Sequence, residues 1–291
     1  MEQIANFKLS YKGYESDRHQ IDLYDVAQAL IGFQRSIALT THLVLSGEII
    51  TQSPSLRGAK ILTTPANKGS WEIIATILAG GYAIGTAPKD TPLGHIVHSV
   101  YDYIVSESLG VHVDYDKTIG AILDEKKELK QHLALHKLDA LTEKCSTAIS
   151  DIHRPIYKTH TAEHAKITSD VLGRQTQVGS EFSLETYSYI HEHFAEDRPV
   201  VVKGRISSYN SNTFKGRIYV AREGRPVVFE LSKECRSNYV VGLVTASLSA
   251  SALKDYTNEW CEVYCLAFRN VSRSGQLKSY KIVQVSHEFI E

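Results

Sequence analysis

Two histidines and a glutamate stand in the pattern His-Thr-Ala-Glu-His at residues 160 to 164. On one helix, that spacing would put His160 and His164 on the same face as zinc ligands, with Glu163 as the general base of a metal-dependent hydrolase. The surrounding stretch, KTHTAEHAKITSD, offers little apolar face to anchor such a helix. A second pattern runs from Gly80 through Gly85 to Thr86 and spaces its glycines like a phosphate-binding loop. The lysine that should stand before Thr86 is missing, Lys89 comes too late and after Pro88, and no helix opens at the glycines to receive an anion. These glycines are better read as permitting close backbone approach where a buried strand turns out of a sheet. His191 and His193 are two apart in a helical stretch and so do not face each other. Glu128 and Lys130 form a Glu-x-Lys on a helical pattern, whereas a nuclease site needs that pair on a strand. The sequence therefore assigns no catalytic, cofactor-binding or metal-binding residue.

The C-terminal third has a different character. Lys203, Arg205, Lys215, Arg217 and Arg222 are interleaved with Tyr209, Phe214 and Tyr219. Basic grooves with stacking aromatics are how small barrels hold single strands. The same alternation also describes any two-faced strand, and the whole-chain charge of −1 argues against direct nucleic-acid binding. Of the four cysteines, Cys145, Cys235, Cys261 and Cys265, the last two would share a strand face roughly 13 Å apart, too far for a disulfide. Reduced thiols in a cytoplasmic protein are the expectation.

The elements that must position these residues follow from periodicity. Phe7, Leu9 and Tyr11 alternate as in a strand. Leu23, Val26, Leu30, Phe33, Ile37, Thr41 and Val44 repeat at helical spacing, with Asp22 as N-cap and Gly47 as the stop. Residues 58 to 78 read as two strands joined by a turn at Pro65, Asn67 and Gly69, the second buried on both faces. A helix follows Pro92, with Ile96, Val100, Ile104 and Leu109 near one face. From Asp114 to Ile152 the chain is helical and charged, with Leu129, Leu133, Leu138 and Leu141 near helical spacing, ending at His153-Arg154-Pro155. Residues 156 to 180 are polar and weakly patterned, so proteolysis is expected first between 155 and 182. Ser183 caps a short helix. After Arg198-Pro199 come three strands, a short helix from Asn238 and a closing hairpin.

The fold expected is α+β, in three parts: an N-terminal sheet with packed helices over 1–112, a helical section and connector over 113–195, and a β-rich module, a small partly open barrel, over 196–291. The composition, 43% hydrophobic and 22% charged with balanced signs, suits a globular chain with a real core. The N-terminal residues MEQIANFKLSYKGYES show no apolar signal core. The longest apolar run, Trp71 to Ala87, is interrupted by Glu72 and three glycines and is shorter than the ~20 residues of a membrane helix.

Four phrases of the N-terminal half, IDLYDVAQALIGFQRSIALTTHLV, SPSLRGAKILTTP, GSWEIIATI and GTAPKDTPLGHIVHSVYDYIV, resemble the Gabija anti-defence proteins of phages. The resemblance covers about residues 5 to 120 and rests on no catalytic signature. It implies a phage-encoded, non-enzymatic immune-evasion protein acting in the host cytoplasm. Such a protein would assemble as a homo-oligomer, a tetramer or larger, and wrap the Gabija nuclease–helicase complex to block DNA binding and cleavage. Tyr239, Trp260 and Tyr264 are the candidate self-association residues. Two alternatives stay open: a zinc hydrolase using His160, Glu163 and His164, and a nucleic-acid-binding module in the β-rich region.

Overall fold

The computed structural model describes residues 2–50, 56–64, 71–79, 93–120, 132–191, 194–271 and 277–290. It is an α+β protein of two compact units, Met1–Ile190 and His191–Glu291. The division differs from the expected three parts, because residues 113–190 belong to the first unit. The reason is strand pairing across the sequence: β4 (His164–Val171) lies against β1 (Glu2–Lys12), with Leu9 opposite Ile167.

The first unit is built on a five-stranded antiparallel sheet in the order β2-β3-β1-β4-β5, where β2 is Ala59–Thr64, β3 is Trp71–Ala79 and β5 is Arg174–Phe182. The helices are α1 (Leu23–Ser46), α2 (Leu93–Ser108), α3 (Leu135–Ile152), the single turn α4 (Arg154–Tyr157) and α5 (Leu184–His191). Phe7, Leu9 and Tyr11 are fully buried, as their alternation requires, and join the core with Phe33 and Ile37 of α1, Val100 and Ile104 of α2 and Ile149 of α3. Asp22 caps α1 by accepting from the Asp25 N–H at 2.9 Å, and Gly47 ends it with φ +71, its N–H donating to the Leu43 carbonyl. On β3 only one face is deeply buried: Ala75, Ile77 and Ala79 point to the core, while Ile74, Thr76 and Leu78 are half-buried on the other face. The expected burial of β3 on both faces is thus full on one face and partial on the other.

The stretch expected to be weakly patterned and cut first, 155–182, is mostly the β4–β5 hairpin. His153-Arg154-Pro155 does end the long helix, and Ser183 caps α5 by accepting from Thr186 N–H. Within the expected helical section, Asp116–Gly120 forms a π-helical turn and α3 begins at Leu135. The glycines around Gly80 and Gly85, Leu129 and the Glu128 motif lie outside the described residues. No helix among the described residues is long and apolar enough to cross a membrane.

The second unit is a barrel. Its strands are β7 (Val200–Asn210), β8 (Lys215–Val220), β9 (Arg225–Leu231), β10 (Glu262–Val271) and β11 (Leu277–Ser286), with the two-residue β6 (Phe194–Ala195) added to β10. β7–β8–β9 form an antiparallel meander, β9 pairs in parallel with β11, β11 pairs with β10, and β10 returns to β7. The ring is therefore closed by the parallel β9–β11 pair, where a partly open barrel was expected. This strand order, with helix α6 (Asn238–Ala252) between the third and fourth barrel strands, is the topology of an OB-type barrel. Its core holds Ile206, Ile218, Val227, Phe229, Val263, Cys265 and Ile282.

Candidate functional site

Inward and outward side chains alternate along the first half of β7. Val202, Gly204 and Ile206 point into the barrel, and Lys203 and Arg205 point out. The register sets what surrounds them: Arg205 stands opposite Tyr219 of β8 on one side and Glu262 of β10 on the other, and Lys203 stands opposite Tyr264. The Arg205 guanidinium lies 4.1 Å from the Tyr219 ring centroid and 4.8 Å from that of Tyr256, which sits in the segment after α6 and is 57% exposed. Among the described residues no carboxylate pairs with Arg205. A guanidinium lying over two rings keeps its charge and its in-plane donors, and with the exposed Tyr256 ring beside it the geometry suits a phosphate and a stacked base.

Beside it, the Lys203 amine pairs with Glu262 at 2.6 Å and lies 5.6 Å from the Tyr264 ring. The hydrogen bond to Glu262, with its charge, raises the Lys203 pKa. Tyr264 meets Phe289 edge-on at 5.7 Å, and Trp260 stacks on His287 at 4.4 Å. Cations and rings therefore alternate over the outer surface of β7, β8 and β10 and the segments flanking β10.

A cavity of about 400 Å³ adjoins this face. β7 pairs with β10 from Val200 onward, but β8 joins its other edge only at Arg205. The cavity occupies the space where β7 runs past the end of β8 beside the turn at 221–224. Val202, Val220 and Tyr280 give it apolar walls, while Lys203, Arg205, Arg222 and Arg269 bring positive charge and Glu223 and Glu262 negative.

The other residues singled out in the sequence fall elsewhere. Tyr209 stacks over Phe229 in the barrel, ring centroids 6.3 Å apart, and Phe214 packs against the core under the Arg236 guanidinium. Neither is an open stacking platform. A bulge between Ile206 and Ser208 shifts the β7–β8 register, so Tyr209, on the outward side by simple alternation with Arg205, turns inward. Arg217 is buried, whereas Arg222 is exposed on the turn. Of the candidate self-association residues, Tyr239 is 69% exposed at the start of α6, and Trp260 and Tyr264 pack with the C-terminal residues His287 and Phe289.

His160, Glu163 and His164 do not share a helix. His160 is exposed with φ +52, Glu163 lies in a loop with its Cβ close against Gly13, and His164 opens β4, its ring 3.3 Å from the Glu181 carboxylate. The helical face on which the zinc reading depends is not formed, because β4 begins inside the motif. Among the described residues no group of three or more His, Cys, Asp or Glu is placed to hold a metal ion. All four cysteines are free and buried, and burial pushes the Cys145 and Cys265 thiols up to about 12.

Tyr256 was missed in the sequence because its partner lies 51 positions away in β7. Nothing local marks it, and only the barrel closure brings it over Arg205. Charge was misleading for a similar reason. The second unit carries 14 Lys/Arg against 11 Asp/Glu, and the first 18 against 22, so a basic barrel is hidden in the neutral total.

Fold and face together define a class: an OB-type barrel with a cation–aromatic outer surface, preceded by an antiparallel α+β unit. The chain belongs to the family described as Domain of unknown function (DUF7946), whose model matches residues 7–191. A second family, Family of unknown function (DUF7947), matches residues 198–286, the barrel. No curated protein and no solved structure matches the sequence.

Proposed function

We propose that this is a non-enzymatic binding protein that holds single-stranded nucleic acid on the outer face of its C-terminal barrel. The observation that carries the reading is Arg205 lying over the rings of Tyr219 and Tyr256, next to Lys203 and Tyr264, on an OB-type barrel. Base–aromatic stacking contributes about 1–3 kcal/mol per base and is indifferent to sequence. Tyr256→Ala should therefore weaken binding of a labelled oligothymidylate or oligouridylate about tenfold or more, with unfolding unchanged. Fluorescence anisotropy across a salt series measures this, and affinity should fall as salt rises. No binding at low salt by the full-length protein would overturn the reading.

The resemblance of the N-terminal half supports a second reading. In it the protein is a phage anti-defence inhibitor that, as a homo-oligomer in the host cytoplasm, wraps the Gabija complex and blocks its DNA binding and cleavage. The exposed apolar side chains of the barrel unit, Tyr239, Leu253, Trp260 and Phe289, favour a protein-contact surface of this kind. Co-expression with a Gabija complex, size-exclusion chromatography and a DNA cleavage assay test it. Co-elution with loss of cleavage is the expected result; separate elution with cleavage intact would overturn it.

A further inference from the structure

We propose that the cavity between β7 and the β8–β9 turn takes a single nucleotide unit, the base against Val202, Val220 and Tyr280 and the phosphate on Arg205 and Arg222. The inference rests on the reading of the adjoining face as a nucleic-acid surface and adds to it a pocket for one residue, a strand end or a free mononucleotide. Size is the first argument. About 400 Å³ lies at the small end of cavities that enclose compact organic ligands, where a mononucleotide belongs.

Charge is the second argument. Of the four cations that line the cavity, Lys203 is neutralised by Glu262 at 2.6 Å and Arg269 by Glu196 at 3.1 Å. Among the described residues Arg205 and Arg222 have no carboxylate partner, and Glu223 is the one lining carboxylate outside an ion pair. Two open guanidiniums against one open carboxylate favour a phosphate, and the planar donor fork of arginine matches phosphate oxygens. Position is the third: Arg205 belongs both to the ring stack and to the cavity wall, so a strand lying on Tyr256 and Tyr219 would have its next unit at the cavity mouth.

Two measurements on the full-length protein test this: equilibrium dialysis with adenosine monophosphate, and anisotropy with a labelled oligothymidylate. Adenosine and inorganic phosphate serve as half-ligands, and each should be retained at least tenfold more weakly than the nucleotide. Arg222 is on an exposed turn, so Arg222→Glu should leave folding intact and reduce nucleotide retention at least tenfold. Tyr256→Ala should weaken the oligonucleotide more than the mononucleotide, because Tyr256 lies outside the cavity and touches it only through Arg205. Oligonucleotide binding without nucleotide retention would overturn the cavity proposal and leave the face reading standing. Nucleotide retention without oligonucleotide binding would support the cavity and overturn the face reading. Retention unchanged by Arg222→Glu, or absent together with oligonucleotide binding, would overturn the proposal.

Discussion

Lys278 lies half-buried on β11, and burial pulls its amine down from an ordinary 10.5 to about 8. The unfolded chain holds that proton up to about 10.5 while the folded protein gives it up from about 8, so this group's own contribution to stability rises with pH between about 8 and 10. The four buried thiols act with the opposite sign: burial raises each of them from 9.0, Cys145 and Cys265 to about 12, so from about 9 upward the unfolded chain loses those protons first and stability falls. Above 10 the tyrosines add to this fall. Tyr11 and Tyr101 are pushed up by burial, and Tyr280 is pushed up to about 12, so the unfolded chain loses those protons first and stability falls. Urea unfolding from pH 7 to 10 should show the wild type gaining stability relative to Lys278→Met as pH increases, the thiol contribution cancelling in the difference. At Arg205 the expected effect is on binding: Arg205→Lys keeps the charge but loses the planar stack, and oligonucleotide affinity should drop about tenfold, read by anisotropy with unfolding as the control. The basic residues of this face were visible in the sequence and its aromatics only partly. Tyr219 was in view beside Arg205; Tyr209 was visible too but faces inward, because one bulge reverses the alternation that a reader of sequence must assume.

Elements were legible where local signals agreed. For α1 the apolar stripe, the Asp22 cap and the Gly47 stop all point the same way, and the helix runs between them, with Leu23 left exposed at its first turn. The β4–β5 hairpin was not legible. Its inward positions Ala165, Ile167, Ser169 and Val171 include a serine, which breaks the apolar alternation, and its turn is Leu172-Gly173, both at positive φ, where a branched side chain gives no turn signal. The join of α6 to the barrel depends on another serine. β10 pairs with β7 as far as Arg205, and the Ile206 N–H just beyond donates to Ser247 Oγ at 3.0 Å, while the Ser247 hydroxyl donates to the Cys261 carbonyl. Ser247 is fully buried, so Ser247→Ala would strand a donor and an acceptor away from water. A loss of about 2 kcal/mol is expected in chemical denaturation, and Ser247→Thr, which keeps the hydroxyl, should recover part of it.

At the scale of the whole molecule, the chain divides where contacts are fewest, between Ile190 and His191. The sequence placed a boundary near this point from Arg198-Pro199 and the change of period, and placed a second at 112 that does not divide the fold. That second boundary fails because a sheet can recruit a strand from far along the chain: β1 takes β3 on one side and β4 on the other, and the residues opposite Ser10, Glu72 and Lys166, differ by 94 positions. Sequence pattern records what each strand is, not which strand it joins. The same pairing decides where a protease should act. Cleavage needs backbone that can leave its hydrogen bonds and enter an active site. Residues 164–182 are held in a hairpin whose first strand pairs on both edges, so the cut expected there from polarity should not occur first. Asp197, Arg198 and Pro199 are exposed and lie between the two-residue β6 and the start of β7, a few residues beyond the division at Ile190. Limited proteolysis should therefore cut first in this segment. Arg198 is followed by Pro199, which trypsin resists, so a protease that accepts acidic or apolar residues, such as Glu-C or thermolysin, should act faster on the segment 194–199. Mass spectrometry of the early digest should find fragments ending near 190–199, each resisting further cleavage. Early fragments that end between 164 and 182 would show that the hairpin opens before the connector does.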